Sequence, residues 1–116
     1  MNLILVAVLI GNLTVTSYRS VANQTDDSPF YTSIGEHVTP HGVAVSRDLL
    51  KRWGGPLNYG DTVYVEGYGM KVVNDCMNER YKNSVDLWVS SYAEEKAVGV
   101  KHRRLWLIKA RTEKAK

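Results

Sequence analysis

The longest uninterrupted apolar run in this chain, residues 3–10, holds eight residues, and the later runs are shorter and broken by glycine, proline or polar residues. Such runs are strand-sized and too short to span a bilayer as a helix. Residues 13–18 set Leu13, Val15 and Ser17 against Thr14, Thr16 and Tyr18, the alternation of a half-buried strand. Gly11-Asn12 before it is an acceptable two-residue turn, so 3–10 reads as a buried strand closing a hairpin with 13–18. The competing reading of 3–10 is a remnant of a secretory segment, although no Lys or Arg precedes it and no small-residue cleavage site follows.

Residues 20–40 are polar and broken by Pro29, Gly35 and Pro40, and read as a long surface loop. A short strand follows at 42–46. Ser46 then suits the N-cap of a short helix over 46–53, stopped by Gly54-Gly55-Pro56. Strands are expected at 62–66 and 70–73, joined around Gly67-Tyr68-Gly69, and again at 84–89. Ser91 and Glu94 form a capping-box pattern for a helix to about Val98, closed by Gly99. The last strand is expected at 104–110, with a frayed basic tail over 111–116. Strands and helices do not alternate strictly. The expectation is therefore mostly β: one small barrel domain over 13–110 with one or two short helices, preceded by an apolar segment over 1–12.

A chain of 116 residues fits one domain with a real core. Its single cysteine, Cys76, rules out an internal disulfide, so packing must supply the stability. A nucleophilic role for Cys76 lacks a histidine nearby in sequence, and no Cys/His spacing suggests zinc. His37 and His41 flank Pro40 and read as surface histidines. Fifteen Lys and Arg against twelve Asp and Glu give a formal charge of +3, with Lys101, Arg103, Arg104, Lys109 and Arg111 late in the chain. A bias this mild suits any polyanion and specifies none. For Trp53 and Trp88, core packing is the favoured reading over sugar stacking.

The stretch 67–88 is the densest in reactive side chains. Asp75 closes one expected strand, and Asp86 sits in the next between Val85 and Leu87, pointing to the opposite face from both. A carboxylate there is costly unless its face is wet, paired or functional. Tyr59-Gly60-Asp61-Thr62-Val63-Tyr64-Val65-Glu66-Gly67-Tyr68-Gly69, then Asp75, then Val85-Asp86-Leu87-Trp88, follow Thr32-Ser33-Ile34-Gly35 and Gly42-Val43-Ala44-Val45-Ser46 in order. In this series the chain resembles the three-aspartate domain family, the double-psi β-barrel of bacterial lytic transglycosylases, over roughly residues 14–108. Two departures stand out. Ser46 occupies the place of the family's first aspartate, with Asp48 two residues on as a candidate substitute, and about seven extra residues lie around 51–56. The usual Asp-Thr-Gly-Gly is replaced by Asp75-Cys76-Met77-Asn78, followed by Arg80.

The resemblance implies a double-psi barrel that cleaves the MurNAc–GlcNAc bond of peptidoglycan with no cofactor and no metal. It implies Asp86 as the acid that then acts as base, and Asp75 as the neighbouring carboxylate. Tyr18 and Thr32 would line the glycan groove, and Asn78 and Arg80 would hold the loop or a peptide-stem carboxylate. It further implies a monomer in the cell envelope or outside the cell, in a bacterium or a viral lysis system. Peptidoglycan strands would be the partner, with no nucleic acid and no stable membrane insertion. A barrel that binds wall glycan without cutting it is the alternative, supported by the missing first aspartate. A basic nucleic-acid-binding barrel is a third class, without an aromatic-basic strand motif to support it.

Overall fold

The computed structural model describes residues 2–20 and 30–113. Six strands carry the fold: β1 (Asn2–Tyr18), β2 (Gly42–Val45), β3 (Thr62–Val65), β4 (Gly69–Cys76), β5 (Ser84–Trp88) and β6 (Lys101–Glu113). One helix, α1 (Tyr92–Val98), and two 3-10 turns, Arg47–Leu49 and Lys51–Trp53, complete the described elements. The strands close into a barrel in the order β1-β5-β2-β4-β3-β6. Two contacts, β1 with β5 and β2 with β4, are parallel, and the others are antiparallel. This is the mostly-β small barrel expected from the sequence, with two parallel pairs set in an otherwise antiparallel ring as in a double-psi arrangement.

Alternation builds the core. Leu13 and Val15 of β1, Val43 and Val45 of β2, and Val63 and Val65 of β3 all face inward and are almost fully buried. Val73, Val85, Leu87, Leu105 and Leu107 complete the interior from the remaining strands. β-branched valine dominates because it packs well on a pleated surface and loses little side-chain freedom there.

The expected hairpin at Gly11-Asn12 does not form. β1 runs straight through it, because β6 offers partners along nearly the whole strand, from Asn2↔Glu113 to Val15↔Lys101. The glycine instead sits at a register shift between Leu9 and Gly11. A turn and a bulge draw on the same residue types, so the local signal could not separate them. β6 extends through Arg111 to Glu113 rather than fraying after Ala110, and residues 114–116 of the expected tail lie outside the described residues. Part of the expected 20–40 loop, residues 21–29, likewise lies outside them.

The expected helix over 46–53 is also replaced, by the two 3-10 turns with an extended Leu50 between them (φ −90°, ψ 141°). Leu50 is extended because it bridges Leu57 in parallel: Leu57 N–H donates to Leu49 O and Lys51 N–H to Leu57 O, each at 2.8 Å. Gly54, left-handed at φ 91°, stops the second turn where the glycines predicted a stop. The capping box at α1 forms as expected: Ser91 Oγ accepts the Glu94 N–H at 3.1 Å, and Gly99 follows the helix.

One irregularity positions everything that follows. Val43 pairs with Val73 and Ala44 with Asp75, so Asn74 is an extra residue in β4. Its buried carboxamide lies over Gly42, where a Cβ would come within 3 Å of it. Gly42→Ala is therefore expected to destabilise the fold by about 1–3 kcal/mol through overpacking. The measurement is a lower urea midpoint at unchanged slope; an unshifted midpoint would show that Asn74 can move aside.

Candidate active site

In a regular strand Asp75 would share the inward face of Val73. The extra residue at Asn74 reverses that parity and turns Asp75 outward, in register with Ala44. On the other side of β2, Ala44 pairs with Asp86 of β5. Residues opposite each other in a ladder share a face. Asp75 and Asp86 thus flank the small side chain of Ala44 on one outer face, two strand spacings apart, roughly 10 Å between Cα atoms. Beside Asp86, across the parallel β1–β5 pair, stand Thr16 and then Tyr18 opposite Trp88.

Each carboxyl has a distinct environment. The Thr16 hydroxyl donates to Asp86 Oδ1 at 2.9 Å. Burial nevertheless raises the Asp86 pKa from the usual 3.8 to about 6, and the negative charges of Asp75 and Glu95 push in the same direction. The hydrogen bond from Thr16 opposes this by favouring the charged form. Asp75 Oδ1 accepts two backbone N–H groups, from Ser33 at 3.0 Å and from Cys76 at 2.8 Å. These fix its orientation. Tyr18 keeps its phenolic proton: burial, then the charges of Asp75 and Asp86, raise its pKa above the ordinary phenol range.

The loop before β2 closes over this face. Thr32 N–H donates to Glu36 O at 2.7 Å and Gly35 N–H to Thr32 O at 3.0 Å, forming a tight turn around Gly35 at φ 80°. That turn presents the Ser33 N–H to Asp75 and brings the Ser33 hydroxyl within 3.3 Å of the Tyr59 hydroxyl. From α1, Glu95 pairs with Arg19 at 3.1 Å, and its side chain is only 17% exposed.

The sequence-named residues therefore separate into two groups. Asp86, Asp75 and Tyr18 come together. Thr32 is buried and its hydroxyl accepts the Glu36 N–H at 3.2 Å, shaping the loop while its neighbour Ser33 makes the contact with Asp75. Asn78 and Arg80 lie in the β4–β5 connection, where Asn78 Oδ1 accepts the Arg80 N–H at 3.1 Å. The Arg80 guanidinium stacks on Tyr81 and donates to its hydroxyl at 3.0 Å.

Ser46 is fully buried and its Oγ accepts the Ser84 N–H at 3.0 Å. Asp48 accepts the Asn83 N–H at 3.0 Å. Both serve the turn into β5. Trp53 is corrected from core to surface: it is exposed and lies against the guanidinium groups of Arg47 and Arg52, because the second 3-10 turn holds no buried residue. Trp88 is half-buried and donates to Ser20 Oγ at 2.8 Å. His37 and His41 are exposed, as expected.

Sequence reasoning missed Thr16, Ser33, Tyr59 and Glu95. Thr16 had a signal, since it shares an alternation face with Tyr18. Glu95 had none, being brought in by the packing of a helix that follows β5. A pocket of ≈ 290 Å³ adjoins the site at the end of β5, lined in part by Pro40, Lys71, Leu87, Trp88 and Glu94. Neither aspartate lines it. Among the described residues, no group of three or more His, Cys, Asp or Glu side chains is placed to hold a metal. Compared with known proteins, the chain matches no family model and no curated protein.

The raised Asp86 pKa has a thermodynamic consequence. Between about pH 4 and 6 the folded chain holds a proton that the unfolded chain has released, so stability falls as pH rises through that window. Asp86→Asn is expected to flatten that slope and to stabilise the protein at neutral pH, by on the order of 1–3 kcal/mol. Thr16→Val removes the donor that favours the charged form and should raise the Asp86 pKa further. Carboxyl NMR titration reads that shift, and a fall would contradict the assigned geometry.

Proposed function

We propose that this barrel is a peptidoglycan lytic transglycosylase acting in the cell envelope or outside the cell, with Asp86 as its acid and then its base. The observation that carries the reading is a mostly buried carboxyl, protonated up to about pH 6, on the same face as a second carboxylate held by two N–H groups. Cleavage of a MurNAc–GlcNAc bond needs a proton on the departing oxygen, relief of oxocarbenium charge, and removal of a proton from the C6 hydroxyl.

The protonated Asp86 donates to the glycosidic oxygen as that bond breaks. Asp75, oriented by Ser33 and Cys76, faces the positive charge growing at the anomeric carbon. Asp86, now ionised, takes the proton from the C6 hydroxyl as that oxygen closes on the anomeric carbon. The product is a 1,6-anhydro ring, no water is consumed, and Asp86 regains its proton. One carboxyl suffices because it gives and takes a single proton, unlike the hydrolases that divide these tasks between two groups. Tyr18 stays a neutral donor for a sugar oxygen over the pH range in which Asp86 titrates.

One observation favours a second reading, a barrel that binds wall glycan without cutting it. The place of the family's first aspartate belongs to Ser46, whose buried hydroxyl is committed to β5. Product analysis separates the two readings. Purified sacculi should release 1,6-anhydro muropeptides, identified by mass spectrometry, with a rate that falls as pH rises through about 6 because the acid form is lost. Asp86→Asn should lower release by roughly 10²–10⁴-fold while glycan binding persists. Sacculi that bind the protein and remain intact would decide for the binder, and full activity in Asp86→Asn would remove Asp86 from its role.

A further inference from the structure

Lys71 breaks the pattern that builds the core. It pairs directly with Val63, so its stem starts on the inward face that Val63 and Val73 fill. A charge at such a position is costly unless it finds a partner. Burial lowers the Lys71 pKa below the ordinary lysine value, because desolvation penalises the ammonium. Its Nζ donates to the Pro40 carbonyl at 2.7 Å, and among the described residues no carboxylate pairs with it. An ammonium has three donors, and one neutral carbonyl uses one of them.

That ammonium belongs to the lining of the ≈ 290 Å³ pocket at the end of β5. Most of the remaining lining is apolar: Leu87, Val89, Val98 and the rings of Tyr68 and Trp88. Glu94 is the acidic group there. Its Oε1 accepts the hydroxyls of Ser90 and Ser91 at 2.8 and 3.2 Å, and it forms no ion pair with Lys71. Ligand sites commonly enclose ~300–1,000 Å³, so this one suits a fragment the size of one or two amino-acid residues. Trp88 ties the pocket to the face that bears the acid. It lines the pocket, pairs with Tyr18, and follows Asp86 by two residues in β5, on the same side of the strand.

We propose that this pocket takes the carboxyl end of a short peptide with small apolar side chains, its carboxylate seated on Lys71 Nζ. The choice of occupant rests on the wall-glycan reading above, since a strand lying across Asp86 carries peptide stems that branch from its sugars and end in such a group. Charge complementarity supports it: a carboxylate gives Lys71 the charge-assisted hydrogen bond that the chain itself does not. The apolar lining covers the alanine-sized side chains, and Glu94 Oε2 accepts a backbone N–H of the peptide. In this arrangement the stem carboxylate is held by Lys71 and not by Arg80, which lies toward the other end of β5 and is engaged with Tyr81.

The experiment is calorimetric titration of the whole chain with N-acetyl-D-alanyl-D-alanine and with its C-terminal amide. The acid should bind saturably, and the amide roughly tenfold or more weaker. Lys71→Met keeps an apolar stem and removes the charge, and should weaken binding of the acid by about the same factor. Its melting temperature should hold or rise, because a half-buried charge leaves the barrel. Ala97→Trp, at an exposed position of α1 that lines the pocket, should fill the space and abolish binding with the fold retained. Binding should also weaken as pH rises through the titration of Lys71, where the ammonium is lost. Absence of binding, an amide bound as tightly as the acid, or binding that ignores both substitutions overturns the proposal. A lowered melting temperature in Lys71→Met with binding of the acid kept also overturns it, and makes the lysine a strut for Pro40. The peptide contains no glycosidic bond, so its failure to bind strikes the pocket and leaves Asp86 to the sacculus assay. Sacculi left intact by a chain that binds the peptide strike the cleavage reading alone.

Discussion

A single additional residue in β4 sets the parity on which the site depends. With Val73 inward, an uninterrupted strand would bury Asp75 among valines, an environment no carboxylate tolerates without a partner. The shift at Asn74 moves Asp75 to the outer face and into register with Ala44. Two aspartates from strands distant in sequence then share one surface, because both pair with the same short strand. The arrangement also explains why the residue between them is alanine: a larger side chain at position 44 would fill the space separating them. A second shift, between Leu9 and Gly11 of β1, acts in the same way. It keeps Leu13 and Val15 in the core while leaving Leu3, Leu5 and Leu9 outside it.

The electrostatics of the face are a contest between burial and hydrogen bonding. Burial and two neighbouring negative charges favour a protonated Asp86, and the Thr16 hydroxyl favours an ionised one. Burial prevails, and leaves the group poised near neutrality. Asp75 Oδ1 is held in place by two backbone N–H donors. A poised acid has a structural cost, since a group that resists ionisation weakens the fold wherever the pH demands its charge.

How much of this was legible in the letters depends on the range of the interaction. Alternation in 13–18 placed Leu13 and Val15 inside and Thr16 and Tyr18 outside. The Ser91/Glu94 capping box and the glycines at 54 and 99 gave helix and turn limits close to those observed. All of these are contacts within a few residues. The hairpin at Gly11-Asn12 and the helix over 46–53 were misread because their local signals fit two structures equally well. A partner some ninety residues away, β6, decided the first. The bridge between Leu50 and Leu57 decided the second. Ser33, not the neighbouring Thr32, reaches Asp75 for a similar reason: loop closure, rather than residue type, selects which N–H points at the carboxylate.

By itself the sequence determined a chain of alternating strands with a valine-rich interior, and it marked Asp86, between Val85 and Leu87, as a carboxylate in a costly position. Those properties follow from side-chain period and composition, which are local and additive along the chain. Tertiary structure alone decided that β1 continues into a ribbon, that Asp75 faces outward, and that Glu95 acts on Asp86. Each of these depends on strand register or on packing between segments far apart in sequence. A one-residue change of register reverses every side chain beyond it, and no local pattern contains that information.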